Sequence, residues 1–128
     1  MLGTVEARLA EKGFELPRAA TPAANYVPYT ISESLVHVSG QITSLNGKLK
    51  FIGRLGESID VETGYHAAQL CGLNLIAQVK EACSGDLERV KKVIRLGGFV
   101  NSSPDFSDHP TVINGASDLM VAAFGTAI

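Results

Sequence analysis

Ser39-Gly40-Gln41 follows directly on the apolar run Leu35-Val36-His37-Val38, so a hydroxyl and a glycine amide stand together where a strand ends. A serine hydroxyl can donate to a substrate atom or a water, or accept from one. A glycine N–H, unscreened by a side chain, can point at an anion or a carbonyl oxygen. Alone, a Ser-Gly pair at a strand end is most often just an ordinary turn. Other polar groups fit known chemistry less well. His37, His66 and His109 fall on a strand, a helix and a loop, and none shares metal-ligand spacing with another or with a cysteine. The sequence has no G-x-S-x-G elbow for a nucleophile. Gly53-Arg54-Leu55-Gly56 is too short for a phosphate loop. Glu57, Asp60 and Glu62 cluster where a helix begins, and capping explains them better than paired acid–base catalysis.

The elements that must hold Ser39 can be read from the spacing of apolar residues. Thr4 to Lys12 reads as a short helix capped by Thr4 and ended by Gly13. Leu16 to Ala24, with Pro17 and Pro22, is an extended connector. Tyr26 to Ile31 is a first strand, at an edge or bulge because of Pro28, and Leu35 to Ser39 is its partner across Ser32-Glu33-Ser34. Asn46-Gly47 marks a second hairpin, with Leu49 to Ile52 beyond it. Val61 to about Cys83 is the strongest helix, with Asp60 as its N-cap and Gly85 as its stop. Leu87 to Val100 reads as a strand rich in β-formers, with Gly97-Gly98 suggesting a bulge. Asn101 to Pro110 is a polar loop, and Thr111 to Phe124 a final helix ended by Gly125. Helices on one face of a mixed sheet fit this order. A further strand is expected after the last helix, so the chain is expected to be incomplete at its C-terminus.

Composition sets the outer limits. The 128 residues suit a single domain, residues 1–128, large enough to bury a core without disulfides or a metal. The chain is 45% hydrophobic and 19% charged and lacks Trp, so its core is aliphatic. A formal net charge of −2 gives no general attraction for nucleic acid. The dense basic stretch is Arg89, Lys91, Lys92 and Arg95. On a strand it would put Lys92 opposite the other three, and solvated or interface charges explain it better than an RNA stripe. Cys71 and Cys83 lie on one expected helix, roughly 18 Å apart at about 1.5 Å per residue, too far for a disulfide. The N-terminus carries no apolar signal-peptide core and no run approaches membrane-spanning length, so a reducing cytoplasm is the expected location.

Several segments in order resemble the RidA/YjgF family. Tyr26 followed by Leu35-Val36-His37-Val38-Ser39-Gly40-Gln41-Ile42 resembles the family's first signature, an aromatic residue before a strand ending in Ser-Gly-Gln. The helix with Gln69, Leu73-Asn74-Leu75 and Val79, and the stretch Asp86 to Val93, are similar to the next two segments. Asp105-Phe106 and Val112-Ile113-Asn114 resemble the loop and helix that follow. The likeness runs from about residue 21 to 125, leaving residues 1–20 as an N-terminal helix and connector. The N-terminal helix and Asn114-Gly115-Ala116-Ser117-Asp118 look like a RidA-related subgroup.

The resemblance implies a chorismate-mutase-like (YjgF-like) α+β fold, a mixed sheet with two main helices on one face. It implies a homotrimer with a cleft at each subunit interface and no cofactor. It also implies hydrolysis of reactive enamines and imines, such as 2-aminoacrylate, to 2-oxo acids and ammonia. The family also carries an endoribonuclease L-PSP label. On that likeness Tyr26 lines the cleft, Ser39 and the Gly40 N–H hold the substrate or the attacking water, and Asn114 braces the site. The family's carboxylate-clamping arginine and its water-activating glutamate fall beyond the last helix. A non-catalytic small-ligand or regulatory trimer and a ribonuclease are the alternative readings.

Overall fold

The longest element is α2, Val61–Ala82, and it begins as the sequence predicts. The Asp60 carboxylate accepts from the Thr63 N–H at 2.8 Å, satisfying one of the free amides of the first turn. The computed structural model describes residues 3–125 and 128. Against α2 lies α3, His109–Phe124, with Pro110 in its first turn and Gly125 closing it at φ 78°. The two helices cross closely because Gly115 sits against the Tyr65 carbonyl, in space any Cβ would occupy. Across the same contact the Tyr65 hydroxyl donates to Asp118 at 2.6 Å.

Helix α1, Thr4–Glu11, completes the helical layer. Thr4 does not cap it. Gly3 holds the cap position without a side chain, and the Glu88 carboxylate, far along the chain, accepts from the Thr4 N–H at 2.7 Å. A carboxylate reaching in from another element does for these amides what Thr4, already helical, cannot. Val5 and Leu9 then pack with Leu73, Ile76, Leu87, Leu119, Met120 and Ala123 in the main core. A second cluster of Leu55, Ile59, Ala68, Val112 and Ala116 fills the other end of the α2–α3 pair.

The strands form two antiparallel hairpins. β1, Tyr29–Ser32, pairs with β2, Leu35–Val38, in the register Tyr29↔Val38. β1 starts later than Tyr26, as Pro28 has no N–H to give a ladder. β3, Ser44–Leu45, and β4, Lys48–Leu49, flank Asn46 and Gly47, whose φ values of 52° and 85° are those of the tight turn their types predict. β4 stops short of Ile52, and the chain turns at Phe51, φ 53°.

Leu87 to Val100 is not a strand. Leu87–Arg89 is a single 3-10 turn, and residues 90–100 run on without a ladder. Val90, Val93 and Leu96 pack against the main core, so their apolar pattern reports burial rather than pairing. Arg89, Lys91, Lys92 and Arg95 are all exposed and share no strand face. Among the described residues the expected mixed sheet is therefore two separate hairpins, with parallel bridges from Leu55 to Ile59 and to Ser102. The α+β class stands. Cys71 and Cys83 are free thiols, and burial pushes the Cys71 thiol up. Among the described residues no helix is long and apolar enough to cross a membrane.

Candidate functional site

Ser39 is fixed by the strand it faces. Its N–H donates to the Pro28 carbonyl at 2.9 Å, carrying the β1–β2 pairing one step beyond Val38. Its hydroxyl donates to the Val27 carbonyl at 2.6 Å. With its proton committed, the oxygen keeps lone pairs to accept from an incoming O–H or N–H. Tyr26 precedes Val27 in the segment that leads into β1 and is 45% exposed. Tyr26 thus neighbours, in sequence, the Val27 carbonyl that holds the Ser39 hydroxyl, and it lies outside the paired strands.

Gly40 follows with open space around it: a Cβ built there meets nothing within 4 Å. The close approach expected at this glycine does not come from the described residues. Among them neither the Gly40 nor the Gln41 N–H finds an acceptor in the chain. The Gln41 amide donates back to the Ser39 carbonyl at 3.1 Å, holding the turn.

The exit from this turn is anchored by a residue whose role the sequence did not disclose. Asn74, 2% exposed on α2, donates to the carbonyls of Ile42 and Ser44 at 3.1 and 2.8 Å. The segment 40–41 is therefore stretched between Ser39 on the hairpin and Asn74 on the helix. The signal for Asn74 was its place inside an otherwise apolar helical stripe, Leu73 to Ala77, where an amide needs internal partners.

Asn114 is not at this edge. It is exposed on α3, which packs against α2 and α1, while the hairpin packs against α2. The histidines also remain apart. His37 is exposed on β2, His66 meets Gln69 at 3.0 Å, and His109 meets the Ser102 hydroxyl at 3.2 Å beside Phe106. Among the described residues no three His, Cys, Asp or Glu side chains are grouped to hold a metal.

Residues 6–128 match the family described as "YjgF/chorismate mutase-like, putative endoribonuclease". The chain is 45% identical over 126 residues to Protein TCP17 of Trypanosoma cruzi, covering 98% of this chain and 78% of that protein. A crystal structure of a "putative endoribonuclease" from Shewanella oneidensis MR-1 matches with a TM-score of 0.92 and 45% identity, over 98% of this chain and 82% of that one. Atu1372 of Agrobacterium tumefaciens, described as of unknown function, matches with a TM-score of 0.87 and 44% identity, over 98% and 81%. The chain belongs to the YjgF/chorismate mutase-like family and has its α+β fold.

Proposed function

We propose that this protein hydrolyses reactive enamines and imines of the 2-aminoacrylate type to 2-oxo acids and ammonia, in a cleft completed between subunits. The observation that carries the reading is the Ser39 hydroxyl, locked on Val27 with its lone pairs free, beside the uncommitted Gly40 N–H. Tautomerisation turns the enamine into an imine, a proton from solvent makes it the iminium, and its carbon is then electrophilic. Water adds to that carbon, a proton passes to nitrogen, and the C–N bond breaks to give the 2-oxo acid and ammonium. Little general-base power is required, so fixed dipoles and positioning carry the rate. In this reading Ser39 accepts from the water or the iminium N–H, Gly40 donates to the substrate carboxylate, and Tyr26 walls the cleft. Asn114 braces the site from a neighbouring copy, consistent with its distance from the hairpin edge within one chain.

A cytoplasmic homotrimer is part of this proposal. Its physical support is the exposed apolar residues in and beside the hairpins: Val27, Ile31, Leu35, Leu49 and Ile52 are 61, 54, 42, 55 and 78% exposed. Large apolar side chains left exposed in this number are available to an interaction face.

The test is ammonia release from 2-aminoacrylate generated in situ, compared with the spontaneous rate. A rate at the buffer level in the trimeric protein rejects catalysis. Saturable binding of a 2-oxo acid without turnover then selects a regulatory ligand-binding trimer. The endoribonuclease reading has one observation behind it, the four exposed cations from Arg89 to Arg95, and the net charge of −2 opposes it. It requires RNA cleavage that disappears in Ser39→Ala.

A further inference from the structure

We infer that Asn46-Gly47, at the tip of the β3–β4 hairpin, is a site of covalent self-modification, where intramolecular deamidation leaves an isoaspartyl link in the chain. The chemistry is internal to the two residues. The Gly47 backbone nitrogen attacks the side-chain carbonyl carbon of Asn46. A C–N bond forms there, and the side-chain nitrogen leaves as ammonia, carrying the proton that the backbone nitrogen gives up. Water then opens the cyclic imide. Attack at the side-chain carbonyl gives aspartate, and attack at the main-chain carbonyl gives isoaspartate, with the chain rerouted through the side-chain carbon. No oxidant, metal or second protein enters the balance.

The hairpin supplies what this step needs. Asn46 and Gly47 are both exposed, so water reaches the imide. Among the described residues the Gly47 N–H donates to no backbone acceptor. A Cβ built at Gly47 meets nothing within 4 Å, so neither a side chain of its own nor a neighbour screens the nitrogen. The attack requires the Asn46 backbone to rotate out of the turn conformation, where its φ is 52°. Little opposes that rotation. β3 and β4 are two residues each, and Leu45 and Leu49 are 37 and 55% exposed, so the hairpin has no core of its own.

The chain carries its own contrast. Asn114-Gly115 is the same dipeptide, but it lies inside α3, where the Gly115 N–H belongs to the helical ladder. Gly115 is also buried against the Tyr65 carbonyl. Rotation at Asn114 would have to unwind α3 where it crosses α2. The two sites share their chemistry and differ only in the cost of opening. At the hairpin the product has a consequence: an isoaspartyl link adds a carbon to the main chain between the strands, so the register Leu45↔Lys48 cannot be kept. The inference goes beyond the imine reading and does not depend on it.

The test is to incubate the full chain in mildly alkaline buffer, which favours the nucleophilic backbone nitrogen, and to map its peptides by mass spectrometry. Isoaspartate is counted separately, by enzymatic carboxyl methylation of the same peptides. Conversion at Asn46 is expected to be faster than at Asn114 by about tenfold or more. The isoaspartate signal should lie in the Asn46 peptide, and Asn46→Gln, which must close a larger ring, should lose it. Equal rates at the two asparagines in the folded protein overturn the inference. So does an unchanged Asn46 over a time in which the urea-unfolded chain converts, or a product that is aspartate alone. If Asn46→Gln lowers Tm, the comparison of Asn46 with Asn114 in the wild-type chain decides alone.

Discussion

The Tyr65 hydroxyl donates to the Asp118 carboxylate at 2.6 Å, joining α2 to α3 across their closest approach. This bond, with burial and the nearby charge as smaller causes, raises the Tyr65 pKa above the usual tyrosine range. The folded state therefore holds the proton more tightly than the unfolded chain. The stabilisation is fully present below the unfolded tyrosine value of about 10 and is lost as pH rises through the folded value. Tyr65→Phe should destabilise by a few tenths to about 1 kcal/mol at neutral pH, since the bond is solvent-accessible. The difference in Tm between wild type and variant should shrink on the alkaline side. A constant difference up to the alkaline limit would show that the bond plays no part.

Asp60 makes the opposite prediction. Its bond with Thr63 lowers its pKa below the ordinary carboxylate value. The stabilisation is present above the unfolded value of about 3.9 and is lost as pH falls through the folded value. Asp60→Asn keeps an N-cap but removes the charge. Its Tm deficit should be visible at neutral pH and vanish in acid, which thermal melts from pH 7 downwards can follow.

Asn74→Leu should be the most damaging single change near the candidate site. It removes both bonds from a buried amide and leaves the Ile42 and Ser44 carbonyls without their donor. A loss of roughly 2–4 kcal/mol is expected in urea unfolding. Hydrogen exchange at residues 40–44 should rise with it, because the anchor on α2 is gone.

Gly115→Ala tests the helix crossing. The added methyl meets the Tyr65 backbone carbonyl, which cannot rotate away as a side chain could. Overpacking of this kind should cost roughly 1–3 kcal/mol and force the helices apart. An unchanged Tm would mean that the crossing is looser than the structure has it.

Ser39→Ala separates fold from chemistry. The lost bond to Val27 should cost about 1 kcal/mol of stability, whereas imine hydrolysis should fall by about 100-fold in kcat/KM. Ser39→Thr, which keeps the hydroxyl, should recover part of the rate. Equal rates in Ser39→Ala and wild type would remove Ser39 from the proposed mechanism.

What the sequence disclosed follows from how far each signal reaches. The Asp60 cap, the Gly125 stop and the Asn46-Gly47 turn are written in neighbouring residues, and each is found where its types place it. The hairpin that ends at Ser39 was also legible, because one antiparallel turn determines the pairing. Contacts between distant residues were not. Glu88 capping α1 and Gln78 holding Ala20 depend on the tertiary fold, and no local pattern announces them. Residues 90–100 failed for a different reason. β-propensity records a side chain that suits a half-buried surface, while a strand exists only if another backbone lies alongside. Asn114 is the corresponding gap: it lies exposed on α3, and no local pattern says where that face sits relative to the hairpin.

The stretch 90–100, unpaired among the described residues, should also influence how this protein behaves in concentrated solution. Its backbone groups are not in a ladder, Ile94 is 66% exposed and Phe99 is fully so, the makings of intermolecular β-stacking. Lys91, Lys92 and Arg95 flank Ile94, and Arg89 stands just before them, acting as gatekeepers whose mutual repulsion resists parallel in-register stacking of identical segments. Their protection is electrostatic, and added salt shortens its range. Colloidal stability should therefore fall as ionic strength rises, visible as light scattering that grows with salt.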